Sequence, residues 1–434
     1  MEKFVINSAC ALKGCVKVPG AKNSALPILA ASIMLEGRST INGCPQLKDV
    51  ETATQIIRKL GGIVTRTQST VNVMYHGSQK AEISDELCKK MRSSVLFIAP
   101  LLYRCKTTTI HTPGGCSIGK RPIDIHLDGL EKMGAEVKYD TDKIIITAPP
   151  QGLKGTVYRL KLPSVGASQT LIMAASTARG ITVLKGCAKE PEVGDLIDFL
   201  NDAGAKIIGK GTGEVVIEGV EVLNSVTHTL IPDRIFTATI LAAVNACGGF
   251  VKIKDYPRSY MKIFEDSLAL TGLKIRHTFK DTYVYKYKNY HRDVSVQTGY
   301  YPDFATDMGP ILAAALIKNK GVLTLTESIF ENRFSYCEGF RKLGARCEVS
   351  EYTYTQSYDG GVFDKEKDKF DNHFTAMDLR AGAALLIGAM ASKGEYELYG
   401  VENIDRGYEA IEKTFNSLGA NIRREIIGEK IESQ

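Results

Sequence analysis

Six times along the chain, a run of small and branched apolar residues gives way to a glycine or polar turn and then to an alternating strand. The six stretches are ILAASIMLEGRSTING, FIAPLLYRCKTTTIHT, LIMAASTARGITVLKG, ILAAVNACGGFVKIKD, ILAAALIKNKGVLTLT and LLIGAMASKGEYELYG. The apolar run has no polar face, which predicts a helix buried on every side. The period-two alternation after it predicts a half-buried strand. An amphipathic helical pattern such as DVETATQIIRKL or EVGDLIDFLNDA follows each strand and stops at a glycine. Those glycines, at 61, 134, 204, 272, 344 and 419, lie 73, 70, 68, 72 and 75 residues apart. Each suits the left-handed position that closes a helix, where a Cβ is strained.

Six units of about 70 residues are too long for a solenoid, whose repeats run to about 20–50. The pattern predicts a mixed α/β protein with helices inside and sheets outside. Six units divide into two domains of three with a cleft between them, the usual place for a small-molecule site.

Composition narrows the function. Of 434 residues, 44% are hydrophobic and 24% charged, ordinary for a soluble globular chain. The net charge of +6 is mild. It does not suggest a nucleic-acid stripe but suits an anionic small substrate. The first residues, MEKFVINSAC, lack the apolar core of a signal peptide, and the apolar runs are shorter than the roughly 20 residues a bilayer requires. A cytoplasmic protein is expected, with no membrane partner. Ten cysteines show no C-x-x-C pair and no zinc-ligand spacing. They are expected to be mostly small buried hydrophobes without disulfides.

The candidate chemistry sits at unit junctions. Lys22 and Asn23 precede the first apolar helix, as a solvated lysine and a capping asparagine or as a cation aimed at an anion. The stretch GGCSIGKRPIDIH places Cys116 beside Lys120 and Arg121, then Asp124 and His126. Its glycines suit a mobile loop, and neighbouring cations favour a thiolate. A thiol there is a structural cysteine, a nucleophile or a general acid. Arg121 precedes a proline and is expected to be extended. Asp303 and Asp307 lie in YPDFATDMGP, Glu331 and Arg333 in FENRFSY, Asp378 and Arg380 at the start of DLRAGAALLIG, and Asp405 and Arg406 in IDRGYE. Singly, each fits a helix cap or an ion pair. Together they mark loops converging on one cleft. No Walker loop, H-E-x-x-H or G-x-S-x-G motif is present.

With GGCSIGKRPIDIH, LPSVGASQTLIMAA, EPEVGDLIDFLNDAGAKI, IFENRF, DLRAGA and IDRGYE in this order, the whole chain resembles the enolpyruvyl transferase family. The resemblance implies a two-domain inside-out α/β barrel, with residues 22–230 in one domain and 1–21 plus 231–434 in the other. It implies transfer of the enolpyruvyl group of phosphoenolpyruvate to the 3′-hydroxyl of UDP-N-acetylglucosamine, with release of phosphate and no metal or organic cofactor. That reaction opens peptidoglycan precursor synthesis. Carried over by position, Lys22, Arg121 and Arg406 clamp the phosphate of phosphoenolpyruvate, and Arg333 and Arg380 hold its carboxylate. Asn23, Arg92, Arg121, Pro122, Ile123, Asp124, Ile125, Leu162, Pro163, Ser164, Val165, Asp307 and Ile329 contact the nucleotide sugar. Asp307 is the implied base, Asp378 a further acidic residue of the site, and Cys116 the lid thiol that protonates the methylene carbon or adds to C2.

The chain departs from the family pattern in places. Leu162 and Pro163 stand where some members carry Lys-Val, Phe236 in DRIFTAT stands where a carboxylate is common, and Gly309 and Pro310 follow TDM. Two other readings stay open at this level. One is the sister enzyme that uses shikimate 3-phosphate. The other is a non-catalytic nucleotide-sugar-binding paralogue.

Overall fold

The six apolar runs are helices: Lys22–Ser32, Ile98–Cys105, Val165–Ser176, Arg234–Cys247, Gly309–Ala315 and Leu379–Ala391. The computed structural model describes residues 2–9, 11–77, 81–111, 122–288, 290–358 and 372–427. As their composition predicts, these helices have no solvent face. Every residue from Arg380 to Ala391 is buried. The first three, bridged by the 3-10 turn Arg92–Phe97, form one bundle, and the last three pack mutually in another. Each bundle centres a hydrophobic core. One core draws on residues between Ala25 and Leu230, the other on Phe4 to Val18 together with Ile235 to Ile422. Fully burying one large aliphatic side chain contributes about 1.5–3 kcal/mol, so both cores are substantial.

Six four-stranded sheets cover the two bundles. One rule builds them. In the third unit, Val157–Arg159 runs parallel to Ile181–Lys185, which pairs antiparallel with Glu214–Glu218, itself paired with Lys206–Ile208. The parallel edge strand thus comes from the end of the preceding unit. In the first unit that strand is Thr227–Thr229, beside Arg38–Asn42, so three units close into a ring.

The second ring closes differently. Leu12–Lys17 is the parallel edge beside Gly249–Lys254, and Glu2–Asn7 inserts between Glu395–Tyr399 and Asn421–Ile426. The first strands of the chain therefore complete its fourth and sixth units. Sequence periodicity alone does not show this, because Leu12 pairs with Gly249, 237 positions away, and Lys3 with Tyr399, 396 positions away.

The repeat glycines behave as expected. Gly61, Gly134, Gly204, Gly272, Gly344 and Gly419 have φ of 90, 97, 101, 95, 95 and 94°. Each ends an outer amphipathic helix and starts the turn into the next strand.

The chain crosses between the two cores twice, and the crossings bond to each other. Ala21 N donates to Ile231 O at 2.8 Å, and Asp233 N to Pro19 O at 2.9 Å. Gly20 is pressed against a third segment: a Cβ there would lie 2.2 Å from Gly43 O, so only glycine fits. Lys22 and Arg234 are thus delivered side by side at the junction. No helix among the described residues is long and apolar enough to cross a membrane.

Candidate active site

The crossings fix the first cation. Lys22 is the first residue of its helix, preceded by Ala21, which makes no side-chain cap. Lys22 and Asn23 therefore lie inside the helix rather than before it, and Asn23 does not cap it. Asn23 is exposed, whereas Lys22 is 8% exposed. Lys22 is no solvated loop lysine: its Nζ lies 2.8 Å from Asp49 Oδ2. Its backbone N–H donates to Asp233 Oδ2 at 3.3 Å, while Asp233 Oδ1 caps the Arg234–Cys247 helix through Ile235 N and Phe236 N.

Asp49 serves two cations. Arg406, from the second core, donates Nε to Asp49 Oδ1 at 3.0 Å and Nη2 to Oδ2 at 3.5 Å. Burial works against the Asp49 carboxylate, yet the Lys22 and Arg406 charges outweigh it and hold the carboxyl below the usual range. Lys22 stands the other way. Burial lowers it, Asp49 offsets this only in part, and the Arg380 and Arg406 charges add to the lowering. One carboxylate thus gathers a lysine of the first core and an arginine of the second.

A second cluster lies in the second core. Arg333, 2% exposed, donates Nη2 to Asp307 Oδ1 at 2.6 Å and is anchored on Thr306 O. Arg380 donates Nε to Asp307 Oδ2 at 3.1 Å. Its guanidinium lies over the Tyr408 ring at 5.3 Å, and its Nη1 is buried without a hydrogen-bond partner. Asp378 caps the Leu379–Ala391 helix, accepting from Arg380 N and Ala381 N, and takes Ser335 Oγ at 2.9 Å on its other oxygen. It aims Arg380 rather than facing the cleft freely.

The predicted nucleotide-contact residues cluster in the first core. Asp124 opens the helix Asp124–Lys132 and is exposed, with Lys161 Nζ at 3.7 Å. Pro122 is exposed, and Ile123 and Ile125 are buried beside it. Ser164 caps Val165–Ser176 by accepting from Ala167 N at 3.3 Å. Pro163 and Val165 are half-buried and Leu162 is 44% exposed. Half-buried Arg92 opens the turn that touches both the Lys22–Ser32 and Val165–Ser176 helices. His126 is buried behind this group. Burial, then the Arg92 charge, push its imidazole down to about 4. Ile329 sits on a loop of the second core. Cys116 and Arg121 lie outside the described residues.

Four residues escaped the sequence reading. Asp49 looked like a first-turn acid of an amphipathic helix, and nothing local marked it as buried. Glu327, 1% exposed, accepts from Thr298 Oγ1, Thr306 Oγ1, Ile329 N and Phe330 N. One carboxylate thereby fixes Ile329 and the residue before Asp307. Tyr408 donates to or accepts from Thr239 Oγ1 at 2.8 Å and lies 6.4 Å from the Phe236 ring. Phe236 is thus buried beside Tyr408. Glu192 pairs with Arg234 through two bonds of 2.9 and 3.3 Å, a buried tie between the cores.

The chain belongs to the enolpyruvyl transferase family: the family model described as EPSP synthase (3-phosphoshikimate 1-carboxyvinyltransferase) matches residues 6–415. The enolpyruvyl transferase NikO from Streptomyces tendae superposes with a TM-score of 0.84 at 21% identity, covering 98% of both chains. EPSP synthase from Acinetobacter baumannii gives 0.75 at 18% identity over 98% of this chain and 100% of that one. In sequence, UDP-N-acetylglucosamine 1-carboxyvinyltransferase 2 of Caldanaerobacter subterraneus subsp. tengcongensis is 39% identical over 98% of this chain and 100% of its own length. UDP-N-acetylglucosamine 1-carboxyvinyltransferase of Actinobacillus succinogenes is 37% identical over 98% of this chain and 99% of its own.

Proposed function

We propose that this protein transfers the enolpyruvyl group of phosphoenolpyruvate to the 3′-hydroxyl of UDP-N-acetylglucosamine and releases phosphate. The observation that carries the reading is a pair of carboxylate-bridged cation clusters, one joining the two cores and one in the second core, in a chain similar in sequence to enzymes of that name. A trianionic donor needs several cations at fixed positions, and guanidinium offers bidentate geometry for both phosphate and carboxylate. Lys22 and Arg406, with Arg121, take the phosphate. Arg333 and Arg380 take the carboxylate, and the unpartnered Arg380 Nη1 supplies a ready donor.

The same arrangement supports Asp307 as the base. Both its oxygens are held by arginines. A substrate carboxylate competing for those arginines frees an oxygen to accept the proton of the 3′-hydroxyl as its oxygen attacks C2. Cys116 delivers a proton to the methylene carbon. Loss of a proton from that carbon then expels phosphate and restores the vinyl group. Arg92, Pro122 to Ile125 and Leu162 to Val165 bind the nucleotide sugar, with Asn23 and Ile329. We place the division of the two domains at 22–230 and 1–21 plus 231–434, at the bonded crossings.

The test is phosphate release from phosphoenolpyruvate with and without UDP-N-acetylglucosamine, in the native protein and in Cys116→Ser. Release should require the nucleotide sugar and be lost in the variant. Release that instead requires shikimate 3-phosphate, or binding of the nucleotide sugar with no release, overturns the reading.

A further inference from the structure

Five of the six sheets turn outer faces of threonine, asparagine, mixed charge or, in the third unit, aliphatic side chains such as Val157, Ile181 and Ile208 to solvent. The sheet Lys274–His277, Asp281–Lys286, Gly249–Lys254 and Leu12–Lys17 does not. Its inner face is ordinary: Leu12, Val251, Ile253 and Val284 are buried in the second core. Its outer face carries aromatic rings at the centre and cations on both flanks. The pairing register sets them in rows. One row reads Lys274, Tyr285, Phe250, Lys13, and the next reads Arg276, Tyr283, Lys252, Cys15.

The rings form a continuous strip. Phe250 lies 5.8 Å from Tyr283 and 6.1 Å from Tyr285, and Tyr285 lies 5.7 Å from Tyr287. Phe250 is 40% and Tyr287 76% exposed. No other sheet among the described residues sets two Phe or Tyr rings together on its outer face, so the fold does not require it. The charge is one-sided as well. The only carboxylate on this face, Asp281, is taken by Lys252 at 2.7 Å. Lys13, Lys254, Lys274 and Arg276 make no ion pair among the described residues, and Lys17 meets only exposed Asp255 at 3.5 Å.

We infer that this sheet face binds single-stranded nucleic acid, with bases stacked on Phe250, Tyr283 and Tyr285 and phosphates along the flanking lysines and Arg276. Stacking platforms flanked by cations are the shared physics of single-strand binders. A four-stranded sheet with central aromatics presents them flat to splayed bases. Tyr283 and Tyr285 stand two residues apart on one strand, a backbone rise of about 6.8 Å. A duplex hides its bases and would gain nothing from the rings. The mild net charge of the chain conceals this face because acidic residues elsewhere balance it.

The experiment is fluorescence anisotropy of the full chain with a short labelled oligouridylate at low and rising salt. We expect a dissociation constant of about 1–100 µM, with log affinity falling by about 0.7 per phosphate contacted for each log unit of salt. Tyr283→Ser with Tyr285→Ser should weaken binding about tenfold or more while enolpyruvyl transfer is unchanged. Lys274→Glu with Arg276→Glu keeps the rings, alters only exposed side chains, and should flatten the salt slope by about one unit or more. Three results overturn the inference: no binding at low salt, binding unaffected by loss of the rings, or equal competition by inorganic polyphosphate or duplex.

Discussion

Two carboxylates each hold two cations, and they are built for different work. Asp49 is 5% exposed and takes one cation from each core. Asp307 is 30% exposed, and the two arginines it meets among the described residues both come from the second core. The buried acid is a tie: its cations are gathered only when the cores meet. The accessible acid can meet a substrate hydroxyl, and its arginines stay in place whatever the other core does. Exposure and the origin of the partners separate a bridging carboxylate from the one we propose as the base, although both look alike in sequence.

The largest effect tests the reacting carboxylate. Asp307→Ala should lower kcat about 10²–10⁴-fold, the range of a lost general base, and Asp49→Asn should keep turnover at saturating phosphoenolpyruvate within about tenfold. Equal losses in steady-state assays would erase the distinction. The next tests the tie. Removing one member of a buried ion cluster costs about 3–5 kcal/mol. Asp49→Asn should show that loss in urea unfolding and a larger radius of gyration by X-ray scattering. Asp307→Asn should change neither by as much.

Acid sharpens the comparison further. His126 titrates at about 4 in the folded protein, against an ordinary 6.5. Between those values the unfolded chain binds the proton and the folded one does not. Stability is therefore present above about pH 6.5 and lost as pH falls toward 4, by about 3 kcal/mol in all. The Asp49 carboxyl is held below its usual range, so its contribution persists through this window and fails only at lower pH. Asp49→Asn should leave the slope of stability between pH 6.5 and 4 unchanged, and the His126 ring should show no titration above pH 5 by NMR. The smallest effect is at the nucleotide end. Leu162 is 44% exposed. Leu162→Lys should lower KM for UDP-N-acetylglucosamine about two- to fivefold, an exposed ion pair's contribution, with kcat unmoved.

Much of this architecture was legible because helix burial and glycine caps repeat at a fixed spacing. Six copies of one pattern reinforce each other, and Gly61 through Gly419 fell where the reading put them. The cations Lys22, Arg333, Arg380 and Arg406 were legible from position and resemblance. Asp49 and Glu327 were not, because whether a carboxylate is buried depends on segments remote in sequence. Asp49 needs Lys22 and Arg406, which lie 27 and 357 positions away. Glu327 needs Thr298 and Thr306. The rows of the aromatic sheet were hidden for the same reason: Lys13 meets Phe250 only through strand pairing.

The closure of the second ring also sets an order of assembly during translation. The segment around Ala25 to Leu230 has all its strand partners once residue 229 has emerged, so that core can form while synthesis continues. Glu2–Asn7 leaves the ribosome long before its partners Glu395–Tyr399 and Asn421–Ile426, which lie roughly 390–420 positions later. At about 5–20 residues per second, the strand waits on the order of tens of seconds. A ribosome stalled before position 421 would carry one finished body and one open sheet edge, the kind of surface on which chains aggregate.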